Sequence, residues 1–361
     1  MQISRLWLTD FRSYHELDVP LTTGLTAICG PNGVGKTNLL EALGLLATLK
    51  SFRGAPVESL IRRGSGGAAF VRAEGIRDDR EVLIELELVK GKTRAQVNRQ
   101  RLRRTRDLLG AVRITVFAPD DLALVKEGPA LRRTFLDEIL VALDPAADSV
   151  LTDLDRILRQ RNALLRQSHG RLDEAAAMTL DVWDAKLAST GEELTWRREG
   201  LVEALLPLID EAYAILAGRA TPLSARYERS WSADTLAEAL AAGRTDDVRR
   251  GVSLRGPHRD ELRLGLDGLA GRTEASQGEQ RTLALALRLS GHRLVTDRLG
   301  EAPLLLLDDV LSELDPDRAG ALLTHLPAGQ SIITSASELP AAAHPDQILS
   351  LSEGGLLTAL A

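Results

Sequence analysis

Apolar residues in the first third of the chain alternate with polar ones, the pattern of strands with one buried face. Ile3 to Leu8, Leu17 to Pro20, Phe70 to Glu74 and Val82 to Leu88 are read as strands, and Arg113 to Phe117 closes this portion. Among them, an apolar run from Leu25 to Cys29 feeds a glycine-rich turn, and a helical pattern runs from Asn38 to Leu49. From about Leu122 to Leu216 the apolar spacing becomes three and four, the period of helices. Ser168-His169-Gly170 divides this stretch in two, and the second helix has leucine at every seventh position: Leu180, Leu187, Leu194, Leu201 and Leu208. Thr190 and Arg197 spoil the alternate seam, and Gly191, Gly200 and Pro207 are expected to interrupt the run. A helical hairpin within the chain therefore fits better than a zipper with a partner. Thr221 to Tyr227 and Glu261 to Leu266 return to strand, a long helix runs from Glu279 to about Leu294, and Leu304 to Leu307 and Ser331 to Thr334 are buried strands. The pattern predicts an α/β head, residues 1–118 and 220–361, split by a mostly helical arm, residues 119–219.

The turn after Cys29 carries specific chemistry. Gly30-Pro31-Asn32-Gly33-Val34-Gly35-Lys36-Thr37 matches the phosphate-binding pattern G-x-x-x-x-G-K-[ST], between a strand and a helix beginning at Asn38. The glycines let backbone N–H groups turn inward around an anion, and the helix adds the positive end of its dipole. Lys36 can reach the β- and γ-phosphates, and the Thr37 hydroxyl can ligate Mg²⁺. These residues predict binding of a nucleoside triphosphate.

Composition adds limits. Of 361 residues, 44% are hydrophobic and 27% charged, an ordinary globular profile, but aromatics are only 3%, so the core must be built from Leu, Ala, Val and Ile. No signal-like amino terminus or membrane-length apolar run is seen, and the single cysteine, Cys29, fits a reducing cytoplasm. Cys29 reads as a small strand residue rather than a reactive thiol. Net charge is −6, yet Lys90, Lys92, Arg94, Arg99, Arg101, Arg103, Arg104 and Arg106 follow one another with no acid between. Two readings stand for this run: a surface that neutralises DNA phosphates, or an arginine-rich solvated hairpin.

A second set of residues lies near the end of the chain. Leu304 to Leu307 is apolar throughout, as a strand buried on both faces must be, and it ends in Asp308-Asp309. The carboxyl end of such a strand opens on the ligand crevice. Asp308 is thereby placed to hold Mg²⁺, and Asp309 to orient or deprotonate an attacking water. Ser312-Glu313-Leu314-Asp315 follows. Upstream, Ser276-Gln277-Gly278-Glu279-Gln280-Arg281 opens the long helix. Ser276 and Glu279 have the spacing of a capping box, and a serine–glycine helix start is also an anion-binding device; both readings stand.

In this order the motifs resemble the ATP-binding-cassette ATPases, within them the SMC-type heads, and most closely the RecF family. The resemblance covers essentially the whole chain, including Asp10-Phe11-Arg12-Ser13, Lys50-Ser51-Phe52-Arg53, Pro119-Asp120-Asp121, Arg132-Arg133, Gln160-Arg161-Asn162 and Gly256-Pro257-His258-Arg259-Asp260. Glu127 stands where a smaller residue is commoner, and the strand ending at Thr334-Ser335 lacks the histidine that many cassette ATPases carry. The resemblance implies a cassette-type head with an arm, ATP and Mg²⁺ as ligands, and slow, DNA-stimulated hydrolysis with Lys36 and Asp309 catalytic. It implies an ATP-dependent homodimer in which Ser276, Gly278 and Glu279 act on the partner's nucleotide and Ser312 and Asp315 line the seam. It implies binding to double-stranded and gapped DNA; on the DNA-facing reading of the basic run, Arg99, Arg101, Arg103 and Arg104 are the candidate contacts. RecO- and RecR-type mediators are the implied protein partners, and the implied location is the cytoplasm, at the nucleoid when on DNA. A transporter's nucleotide-binding subunit would carry a fuller L-S-G-G-Q signature, and a chromosome-organising head a longer coiled coil.

Overall fold

Strand β1 (Gln2–Phe11) doubles back as β2 (Tyr14–Pro20), and β3 (Leu25–Cys29) enters the glycine loop from which α1 (Lys36–Thr48) leaves. A short α2 (Val57–Leu60) precedes β4 (Ala68–Arg77), β5 (Arg80–Val89), β6 (Lys92–Val97), β7 (Gln100–Arg101) and β8 (Ile114–Phe117). Next come α3 (Ala123–Lys126), α4 (Pro129–Leu143), α5 (Ala147–Gln167), α6 (Glu174–Ala217), β9 (Leu223–Glu228), α7 (Leu236–Arg250), β10 (Glu261–Leu266) and β11 (Leu269–Ala270). The chain ends with α8 (Gln277–Leu299), β12 (Leu304–Leu307), α9 (Pro316–Thr324), β13 (Ser331–Ser335), β14 (Gln347–Leu351) and β15 (Leu357–Leu360). The computed structural model describes residues 2–77, 79–352 and 357–360.

Two compact units result: Met1–Leu122 with Glu211–Ala220 and Gln277–Ala361, and Ala123–Asp210 with Thr221–Ser276. The first contains two six-stranded sheets. One is an antiparallel meander in the order β2-β1-β4-β5-β6-β7. The other has the order β15-β14-β3-β13-β12-β8, parallel except for the β14–β15 pair. The expected alternation holds in β5, where Ile84, Leu86 and Leu88 point into the core. Side chains of both sheets share one core with α1, whose Leu39, Leu40, Leu43 and Leu46 are fully buried. Every residue of β12 and β13 is buried, and β12 is apolar at all four positions, as a strand without a solvated face must be, whereas β13 carries Ser331, Thr334 and Ser335 among its apolar residues.

The second unit differs from the sequence expectation in extent. The sequence pattern returns the chain to the head at residue 220, whereas Thr221–Ser276 belongs with the helices. The strands there form a separate three-stranded sheet, β11-β10-β9, and β10 packs on α4. A strand pattern reports local periodicity but not which sheet the strand joins. Helix α6 also runs unbroken through the positions expected to interrupt it. At Gly191 a side chain would meet Leu236 and Pro257, so the glycine is there for close packing. Pro207 and Glu203, whose carbonyl the proline leaves without its helical donor, are both exposed, so water can serve that carbonyl. The heptad leucine Leu180 packs with Leu165 and Val248 of the same unit, in line with a helical hairpin inside the chain.

The family motifs of this unit meet in a buried polar network. Arg161 is fully buried, paired with Asp184 at 2.7 Å and Asp247 at 2.8 Å, and it donates to Ser253 Oγ. Arg198 pairs with Asp137 and donates to the Pro257 carbonyl, while Tyr227 donates to Asp260 at 2.7 Å. Paired in this way, buried charges specify one arrangement of the helices around them.

Candidate nucleotide-binding site

The glycine loop is shaped by its surroundings. A Cβ at Gly35 (φ 115°) would stand 2.6 Å from the Tyr14 hydroxyl, and one at Gly30 would stand 2.2 Å from the Leu351 carbonyl oxygen. Tyr14 donates to the Gly35 carbonyl at 2.8 Å, and burial raises the pKa of its phenol. Gly33 lies at φ 85°, a left-handed conformation that a side chain would strain. Pro31, Asn32 and Val34 complete the loop. Asn38, on the first turn of α1, donates to Ser13 Oγ at 3.0 Å and accepts from Arg53.

Lys36 folds over its own loop, its ammonium donating to the carbonyls of Gly30 at 2.6 Å and Pro31 at 2.9 Å. Desolvation lowers its pKa, and the charges of Asp309 and Asp308 oppose the shift. A cation held in a partly dry loop and attracted by two carboxylates is suited to a charged phosphate.

The parallel sheet brings the two halves of the site together. β3 and β12 are not neighbours: β13 lies between them. Their carboxyl ends nevertheless converge, and Thr37 Oγ1 donates to Asp308 Oδ1 at 3.0 Å across 271 residues of sequence. Asp308 is buried, and desolvation pushes its pKa up while the hydroxyls of Thr334 and Thr37 pull it down. A hydroxyl and a carboxylate side by side are hard oxygen donors of the kind Mg²⁺ takes. Among the described residues no cluster of three or more His, Cys, Asp or Glu could hold a metal. Asp309 follows at φ 49° and is half-buried.

The predicted signature residues form a separate group. Ser276 immediately precedes α8 and is exposed. Glu279 pairs with Arg219 at 3.3 Å, and Gly278 lies under the Arg318 guanidinium. Arg281 pairs with Glu313 at 2.9 Å and donates to its carbonyl, tying the start of α8 to the Ser312–Asp315 segment. Asp315 caps α9 by accepting from the Arg318 N–H at 3.0 Å, and Ser312 donates to the Asp309 carbonyl at 2.8 Å. Among the described residues, polar contacts of residues 30–38 beyond their own loop include those to Ser13, Tyr14, Arg53, Asp308 and Ser335.

The basic run occupies β6, β7 and the turn beyond. Arg94 is tied to Glu87, while Arg99, Arg101, Arg103, Arg104 and Arg106 are exposed and have no ion pair among the described residues. Cys29 is half-buried, and burial raises its pKa. Sequence reasoning assigned no role to Arg288, which pairs at 2.6 Å with Asp121 in the turn after β8, nor to Thr334, which touches both acids. A lone arginine or threonine in an apolar segment carries no motif by which to find it.

The RecF/RecN/SMC N terminal domain family matches residues 2–350. Two proteins named DNA replication and repair protein RecF, from Frankia alni and Streptomyces avermitilis, are 46% identical over 359 residues and 44% identical over 353 residues. The alignments span 94% and 93% of this chain and 94% of each relative. Among solved structures, a recombination mediator protein RecF with ATP, of the RecFOR pathway, has a TM-score of 0.90 at 29% identity, covering 100% of this chain and 98% of that one. An Smc head bound to the C-winged helix domain of ScpA has a TM-score of 0.59 at 19% identity, a likeness of fold. Among the described residues no helix is long and apolar enough to cross a membrane. The fold is the cassette-type ATPase head of SMC and RecF proteins, with α6 as the long helix of an arm. By motif, fold and sequence identity, the chain belongs to the RecF family of DNA replication and repair proteins.

Proposed function

We propose that this chain is an ATP-switched DNA-binding protein of recombinational repair and replication-fork maintenance. The observation that carries the proposal is the hydrogen bond between Thr37 and Asp308, which joins a phosphate loop to a strand-end carboxylate. Relatives of the same fold with ATP bound support the reading.

ATP would lie on Gly30–Asn38, with loop N–H groups and Lys36 meeting its phosphates. An incoming phosphate competes with the Gly30 and Pro31 carbonyls for the Lys36 ammonium. Thr37 and Asp308 would hold Mg²⁺, whose charge offsets that of the phosphate oxygens when it is bound. Asp309 orients a water for in-line attack and accepts its proton.

Ser276, Gly278 and Glu279 would cap the γ-phosphate of a second copy's ATP, with Ser312 and Asp315 along the seam. The likeness of the motif order to cassette-type ATPase heads is what suggests a role in trans. ATP would then hold a homodimer closed on duplex DNA, and slow hydrolysis would open it. Arg99, Arg101, Arg103 and Arg104 would meet the DNA backbone. RecO- and RecR-type mediators would use the loaded dimer at gapped DNA to place the recombinase, in the cytoplasm at the nucleoid.

Ser276→Ala is the test. The variant should bind ATP as a monomer at near-normal affinity yet fail to dimerise, to retain DNA or to hydrolyse ATP, as read by light scattering and DNA retention with ATP and ADP. ATP-dependent dimerisation at the unaltered concentration would remove the trans role. Ser276 would then be a helix cap worth about 1 kcal/mol.

A further inference from the structure

The strand between the two halves of the site ends in a hydroxyl that touches both acids. Thr334 is fully buried at the carboxyl end of β13, in register with Ile28 of β3 and one residue beyond Ile333, which pairs with Leu307 of β12. Its Oγ1 accepts from the Asp309 N–H at 2.9 Å and donates to Asp308 Oδ1 at 2.9 Å. The next residue, Ser335, accepts from the Gly30 N–H at 3.2 Å, so the end of β13 also carries the start of the phosphate loop.

Asp309 needs such support. Its φ of 49° is left-handed, which a residue with a side chain adopts at a cost, and its neighbours must hold it there. Two hydroxyls do so: Thr334 takes its N–H, and Ser312 donates to its carbonyl at 2.8 Å. The direction of the Asp309 side chain follows from that backbone conformation. The same Thr334 oxygen donates to the carboxylate oxygen that Thr37 reaches, so Asp308, Asp309 and the first turn of α1 are fixed relative to one another.

We infer that Thr334 is a positioning residue for ATP hydrolysis, setting where the Asp309 carboxylate stands and how Asp308 faces Thr37. The inference rests on the proposed ATPase reading. Thr334 needs to touch neither ATP nor water; it acts through the two acids. A methyl in place of its hydroxyl would strand the Asp309 N–H and remove one of the two donors to Asp308 Oδ1. Asp309 would then be free to leave the left-handed conformation.

Thr334→Val keeps the shape and removes the hydroxyl, Thr334→Ser keeps the hydroxyl, and Thr334→Ala covers the case in which valine does not fold. In Thr334→Val, kcat should fall by about 10²-fold, the scale of a misplaced reacting group. KM and the affinity for a fluorescent ATP analogue with Mg²⁺ should stay within about threefold of wild type. Thr334→Ser should recover most of the rate, and a crystal structure of the valine variant should show Asp309 out of the left-handed region. Wild-type turnover in Thr334→Val, or an equal loss in valine and serine variants, overturns the inference. So does a valine structure with Asp309 unmoved, whatever the activity. Failure of the underlying ATPase reading looks different: the unaltered protein would not bind the ATP analogue.

Discussion

Arg12 clasps Glu41 with two nitrogens, Nε to Oε2 and Nη2 to Oε1, each at 2.7 Å. Glu41 is fully buried on α1, little more than a turn beyond Lys36 and Thr37, and Ser51 also donates to its Oε1. The Asp10–Ser13 and Lys50–Arg53 motifs thus brace the helix that carries the phosphate loop. Arg12→Ala would leave a buried carboxylate without its cation, at a cost of about 3–5 kcal/mol. A clear fall in the denaturation midpoint is expected, and a midpoint within experimental scatter would show that Ser51 alone sustains the charge.

Lys36→Met should weaken ATP binding by about 10- to 100-fold, because a charge-assisted contact contributes about 1.5–3 kcal/mol. Titration with a fluorescent ATP analogue measures this directly. Unchanged affinity would remove Lys36 from the site.

Asp309→Asn keeps the shape but loses the proton acceptor. ATP should still bind while turnover falls by roughly 10²-fold or more, and the ATP-dependent dimer should persist. Normal steady-state hydrolysis would make Asp309 a bystander.

The exposed arginines after β6 should meet DNA phosphates rather than bases. Changing Arg101, Arg103 and Arg104 together to Ala should weaken all duplexes alike and flatten the slope of log K against log salt by roughly 0.9 for each phosphate no longer neutralised. An unaltered slope would return the segment to a solvated hairpin.

His292 on α8 supplies a pH dependence of stability. It is buried against Thr115 at 3.2 Å, and desolvation lowers its pKa from 6.5 to about 4. Between these values the unfolded chain binds the proton and the folded one does not, so its contribution is full above pH 6.5 and is lost as pH falls toward 4. The loss should reach about 2 kcal/mol by pH 5. His292→Gln should flatten that part of a urea-denaturation series, and an unchanged slope would mean that His292 already opens to water.

What the sequence determines by itself is local. Gly30 to Thr37 is a contiguous pattern between a strand and a helix, and the positive φ of Gly30, Gly33 and Gly35 follows from local backbone sterics, so the turn could be read without the fold. The same holds for the alternation in β5, the all-apolar Leu304–Leu307 and the pair Asp308-Asp309, because periods of two and of 3.6 follow from short-range geometry. The tertiary structure alone decided which distant residues meet. That β13 lies between β3 and β12, that Thr37 bonds Asp308, that Thr334 holds both acids, and that Thr221–Ser276 joins the helical unit all depend on strand order and on which faces bury each other. Strand periodicity is the same in every sheet a strand could join. The choice is made by packing and by buried polar groups such as Arg161 with Asp184 and Asp247, whose partners are specified only once the chain has closed around them.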